Sequence, residues 1–169
     1  LAAIWIVAVA SNISAFWIIV ANAWMQHPVG YVLRNGRAEL SDFMAVVTQD
    51  FAVLEFVHTV GGAWMLAGFF VLGISAWHLA RGSHVEVFRR SFRAGATWAL
   101  ASSVLVMFLG HLNAEILATS QPVKLAAMES LWETSEDVPM NLVAWPDEKG
   151  ERNVVQALPI PGLMSFLVH

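Results

Sequence analysis

The sequence predicts an all-α fold, an integral membrane helical bundle with three transmembrane helices and an extracytoplasmic loop region. Three observations carry this expectation. Apolar runs free of charge and long enough to cross a bilayer recur along the chain; 57% of its 169 residues are hydrophobic and only 13% charged; and the short connector between the second and third runs gathers Arg81, Arg89, Arg90 and Arg93. A chain with that much apolar surface finds its main solvent in lipid rather than in water.

The first run, "LAAIWIVAVASNISAFWIIVANAWM" over residues 1–25, is uncharged and exceeds the roughly 20 residues that a membrane helix needs. Asn12, Ser14 and Asn22 interrupt its apolar character. A second uncharged run covers residues 60–77 and extends back through His58 and Glu55, which predicts a helix over about 51–80. The third covers residues 94–110 and continues through His111, predicting a helix over about 94–118. Lipid offers backbone amides and carbonyls no partner, so each span is expected to be helical, and none has the strict alternation of a membrane barrel strand.

The arginine-rich connector, residues 81–93, holds a single acid, Glu86, and by the positive-inside rule it is cytoplasmic. Residues 26–50 and 119–169 then lie on the outer side. His58 near the start of the second span and His111 near the end of the third are thereby brought to one outer membrane level. The tail, residues 119–169, is acid-rich and carries Pro122, Pro139, Pro146, Pro159 and Pro161, with no run of spanning length. Within it "QPVKLAAMESLWET" starts a short amphipathic helix at Pro122 that is expected to reach about Trp132. The domain division follows: transmembrane helices in residues 1–118 and an extracytoplasmic region in 119–169. The chain opens without an initiator methionine or a basic stretch and ends on "PGLMSFLVH", so it is expected to be a piece of a longer protein.

Composition excludes several classes of function. Cysteine is absent, which removes disulfides, thiolate metal sites and thiol nucleophiles. A net charge of −4 without a lysine-rich tract gives nucleic-acid binding no support. No GxSxG, HExxH, phosphate loop or dinucleotide fingerprint occurs, so hydrolase and NTPase readings have no anchor. An enzyme built on this chain would rely on a bound cofactor.

Ionisable side chains inside a span are functional candidates by default. His58 is one, and Gly61 and Gly62 follow it at i+3 and i+4, where missing side chains leave a concavity for a planar group. A haem held by an axial imidazole fits that pattern. The alternative is a packing histidine, with the small residues Gly61, Gly68 and Ser75, seven apart, serving close helix contact. Glu55, one turn earlier, would orient the imidazole, accept a proton or meet interfacial water. His111 and Glu115 form an i,i+4 pair, either a proton conductor or a solvated helix end. Ser14 and Asn22, eight apart, share a face that lines a hydrated path or serves as interhelical glue. Lys124 and Glu129 would reach a hydroquinone lying across a helix end, or simply form a solvated charged face.

Four segments together resemble subunit I of the cytochrome bd quinol oxidases: "ANAWMQHPVG" at 21–30, "FVHTVGGAWMLAGFFVLGISAWHLARG" at 56–82, "RRSFR" at 89–93 and "QPVKLAAMESLWET" at 121–134. The resemblance implies a stretch from the fourth membrane helix through the sixth and into the quinol-binding loop. It also implies that His58 is an axial ligand of the low-spin haem b iron, with Gly61 and Gly62 beside it. Lys124 and Glu129 become the quinol site, and Ser14 and Asn22 part of a proton route. The parent subunit would also carry a high-spin haem b and haem d, whose ligands, like the methionine opposite His58, lie on helices outside these residues. Its implied partners are quinol (ubiquinol or menaquinol), dioxygen, subunit II of the oxidase and membrane lipid, in the bacterial inner membrane. Electrons would pass from quinol to the low-spin haem and on to the oxygen-reducing pair. Residues 1–169 alone are expected to show no oxidase activity. His111 departs from the family pattern, standing where many members have an acid. Outside the resemblance, the rival reading is a haem-binding membrane anchor or a transporter segment; no proline breaks a span, which argues against the latter.

Overall fold

The computed structural model describes residues 1–168, which divide into two compact units, residues 1–110 and the residues from 111 onward. The first unit is built on the predicted spans. Helix α1 (Ala2–Gln26) ends at His27, whose N–H donates to the Ala23 carbonyl at 2.8 Å, and Pro28 cannot extend it. Trp24 Nε1 donates to the Val29 carbonyl at 2.9 Å and ties down the exit. An antiparallel hairpin follows, β1 (Tyr31–Arg34) and β2 (Arg37–Leu40), closed by Asn35 and Gly36 at φ 51° and 74°. Those two positive values are what a tight hairpin turn demands, and Asn-Gly is the pair that supplies them at least cost. Gly30, at φ 65°, closes the base of this hairpin with its carbonyl accepting from the Ser41 and Asp42 N–H groups. Asp42 then caps the short helix α2 (Phe43–Val47), its side chain accepting from the Ala45 N–H at 3.0 Å.

Helix α3 (Asp50–Ala80) has 31 residues, about 46 Å at 1.5 Å per residue, and so outreaches a hydrocarbon core of about 30 Å. Helix α4 (Val85–Ser120) starts nine residues ahead of the predicted span, because the basic stretch before it continues the helical ladder into the interface. Between them Arg81 lies 4.1 Å over the Trp77 ring, His78 stacks on Phe88 at 3.9 Å, and Gly82 takes a positive φ of 67°.

Small residues let α3 and α4 touch backbone to backbone. A side chain added at Gly68 would place its Cβ 2.8 Å from the Ala99 Cα and N, and one at Gly95 would lie 3.2 Å from the Gly68 carbonyl oxygen. Gly61, Gly68 and Ser75 are buried along one line of α3, facing Gly95, Ala99 and Ser102 on α4. The spacing of seven therefore marks a helix contact, the arrangement that membranes favour in place of hydrophobic burial. On the other side α1 meets α3 through Val20, Ala23, Phe51 and Ala52, all buried, and through the edge-to-face pair Phe16 and Phe56 at 5.3 Å. Positions such as Trp5, Leu66, Phe70, Leu100 and Met107 are large, apolar and exposed.

The second unit begins with the last turns of α4. Helix α5 (Pro122–Met128) has proline in its first turn as expected but stops at Glu129, short of the predicted Trp132, because Ser130 turns into the left-handed region at φ 55°. A second hairpin, β3 (Met140–Asp147) and β4 (Arg152–Ile160), carries a bulge at Trp145 and Pro146, and α6 (Leu163–Val168) follows. Trp132 Nε1 donates to Asn153 Oδ1 at 3.0 Å while Asn153 Nδ2 donates to the Ser130 carbonyl at 2.8 Å, so the hairpin is laced to the end of α5. Leu125 and Met164 form its small buried centre. Neither hairpin was anticipated from the sequence, yet the three expected spans are helical, as predicted.

Candidate functional site

His58 sits in the third turn of α3, half-buried, where an apolar span would otherwise be expected to continue. Its ring lies against Gly110 of α4: a Cβ at Gly110 would come within 3.3 Å of His58 Cε1 and 3.9 Å of Nδ1. Nδ1 is buried and, among the described residues, has no hydrogen-bond partner. The same holds of His78 Nδ1 and Gln49 Oε1, so an unpartnered buried atom does not by itself set His58 apart. The two glycines beyond it behave differently. Gly61 is buried with Val106 of α4 3.1 Å from where its Cβ would be, whereas nothing lies within 4 Å of a Cβ at Gly62. Gly61 is thus engaged in helix contact, and the open concavity beside the histidine is at Gly62.

A half-buried histidine with an open glycine position one turn further along its face could hold a haem through Nε2, Nδ1 being turned toward α4. Among the described residues no group of three or more His, Asp or Glu is placed to hold a metal ion.

Glu55 lies one turn before His58 on α3 and reaches across to α1. Gln26 Nε2 donates to Glu55 Oε1 at 3.2 Å and also to Asn22 Oδ1, so Asn22, Gln26 and Glu55 form a polar ladder between two spans. Sequence reasoning singled out Asn22 and Glu55 separately and missed Gln26, whose helix-end position looks unremarkable until the two helices are packed. Ser14 and Asn22 are both exposed on α1, and Ser14 does not reach this ladder. A groove of about 620 Å³ opens between α1 and α3, lined by Trp5, Phe16, Trp17, Phe56 and Trp64, and it is almost wholly apolar.

In the second unit His111 Nε2 and Glu115 Oε1 are 3.3 Å apart, a partly exposed pair with one turn between its members. Lys124 is exposed on the first turn of α5, and Glu129 is half-buried as the residue that ends it, its N–H donating to the Leu125 carbonyl at 3.0 Å. The two therefore stand at opposite ends of one seven-residue helix. A cavity of about 440 Å³ lined by Ser130, Trp132, Glu133, Asn141, Arg152 and Asn153 begins immediately after Glu129.

Comparisons with known proteins cover the whole chain. The family model of cytochrome bd terminal oxidase subunit I matches residues 1–169. The cytochrome bd-II ubiquinol oxidase subunit 1 of Escherichia coli (strain K12) is 40% identical over 166 residues, taking in 96% of this chain and 32% of its own. The cytochrome bd ubiquinol oxidase subunit 1 of Bacillus subtilis (strain 168) is 38% identical over 167 residues, 98% of this chain and 36% of its own. The structure of bd oxidase from Geobacillus thermodenitrificans superposes with a TM-score of 0.84 at 31% identity, covering 96% of this chain and 37% of that one. The chain thus spans about a third of the length of the relatives it matches.

Proposed function

The chain belongs to the cytochrome bd terminal oxidase subunit I family, and from that premise we propose that it forms the part of a quinol-oxidising, oxygen-reducing subunit where electrons enter. His58 holds a low-spin haem b, with Gly62 leaving room for the macrocycle and Gly61 keeping α4 close. That haem, when bound, supplies the one-electron centre that takes up the electrons of quinol. What supports this reading is a half-buried histidine inside an apolar span with the open position of Gly62 one turn further along its face; Nδ1 is turned toward Gly110 of α4, which would leave Nε2 to meet an iron.

Lys124 and Glu129 bind the quinol headgroup from the two ends of α5. The ammonium of Lys124 donates to one quinol oxygen, and the Glu129 carboxylate accepts a hydroxyl proton from the other and passes it to water on the outer side. Residues 119–169 form the extracytoplasmic quinol-binding region, residues 1–118 the membrane part, and the loop at 81–84 with the arginines that follow is cytoplasmic, in a bacterial inner membrane. Ser14 and Asn22 belong to a hydrated route on α1 that brings protons toward the oxygen-reducing haems, a high-spin haem b and haem d held elsewhere in the subunit. Quinol and dioxygen are its substrates, with subunit II and lipid as its surroundings.

The test uses the full-length subunit in membranes. Lys124→Ala and Glu129→Gln should each lower the rate at which quinol reduces the haem at least tenfold, while dithionite still reduces all of it. Unchanged quinol reduction in both variants would contradict the quinol site and leave a haem-carrying anchor in its place.

A further inference from the structure

Glu55 puts a carboxylate beside the candidate haem ligand, and nothing on its own side of the bundle neutralises it. Glu55 and His58 are separated by three positions of one helix, so their Cβ atoms are about 5–6 Å apart on the same face. What holds the carboxylate is neutral: Gln26 Nε2 donates to its Oε1 at 3.2 Å, and Gln26 is itself steadied by Asn22. Residues 1–26 carry no charged side chain, so α1 offers no cation, and among the described residues no ion pair engages Glu55. The amide brace fixes where the negative charge sits without cancelling it.

We propose that Glu55, braced by Gln26, is a positioning residue whose fixed negative charge lowers the reduction potential of the haem held at His58. This rests on the reading of His58 as ligand. The sign follows from Coulomb's law: a nearby negative charge stabilises the oxidised iron, which is the more positive state, and so opposes its reduction. Net charge close to an iron centre is one of the protein's main controls on its potential. Half-burial keeps the effect moderate, since water screens part of the carboxylate. A low potential here suits a haem that must hand electrons onward rather than retain them.

The experiment is a spectroelectrochemical titration of the low-spin haem in the full-length oxidase, comparing wild type with Glu55→Gln, Glu55→Asp and Gln26→Lys. Glu55→Gln keeps the shape and removes the charge, and should raise the reduced-to-oxidised ratio at fixed potential about tenfold, equivalent to about 59 mV for a one-electron couple. Gln26→Lys neutralises the same carboxylate from α1 without altering α3 and should shift the potential upward as well. Glu55→Asp, which retains the charge, should return most of the wild-type value. An unchanged potential in Glu55→Gln or in Gln26→Lys, with the haem retained, overturns the proposal. His58→Ala is titrated alongside: survival of the low-spin signal there would show that the ligand assignment has failed, a separate result from an unshifted potential.

Discussion

His58 and Gly110 define each other. The imidazole lies close against α4 at Gly110, where a methyl would sit 3.3 Å from Cε1. That distance is tolerable if the ring yields by a few tenths of an ångström, whereas the bulkier side chain of valine would push the ring further. Gly110→Val in the full-length subunit should therefore cut the low-spin haem signal per protein by more than half, whereas Gly110→Ala should keep most of it. Reduced-minus-oxidised spectra normalised to protein measure both; a full signal in Gly110→Val would show that the ring does not depend on this contact. His58 was visible in the sequence because an ionisable group in a span is expensive. Gly110 and Gln26 were not, because their roles come from which faces of three helices meet, and that depends on crossing geometry rather than on local spacing.

At the scale of elements, the spans were legible because lipid leaves the backbone no option but helix, and an uncharged run of sufficient length is an unambiguous signal. Their close contact was legible too: Gly61, Gly68 and Ser75 recur every seven residues and line the α3 face buried against α4. This gives a sharp contrast between two glycines of one helix. Gly68→Ala would drive a Cβ into the Ala99 backbone at 2.8 Å and should destabilise the protein by about 1–3 kcal/mol through overpacking. Gly73→Ala meets nothing within 4 Å and should stabilise it slightly, because alanine is favoured over glycine in a helix by about 1 kcal/mol. Thermal unfolding in detergent reads both; equal midpoints would deny the backbone contact. The hairpins escaped for different reasons. Asn35-Gly36 is a strong local turn signal, but its flanking strands of four residues each are too short and too exposed to show a buried face, while β3 and β4 lack a clean in-out alternation and are pinned by Trp132 and Asn153, a contact across 21 positions. The α5 boundary shifted for the same reason, the residues after Glu129 being drawn into that lacing rather than into another helical turn.

For the molecule as a whole, family membership accounts for the order in which these elements are used. The outer end of α3 carries the candidate iron ligand and the inter-helix ladder, and the region after α4 carries the candidate quinol residues at the two ends of α5. The chain spans about a third of its relatives, and under the proposed function the contribution of these residues would be electron entry. Everything in that account turns on His58. The most direct measurement is a dithionite-reduced minus oxidised visible spectrum of the full-length oxidase in membranes, wild type beside His58→Ala. The account predicts that the low-spin b band disappears while the signals of the other haems persist. An unchanged spectrum would make His58 a packing histidine and contradict the placement of the electron entry point on α3.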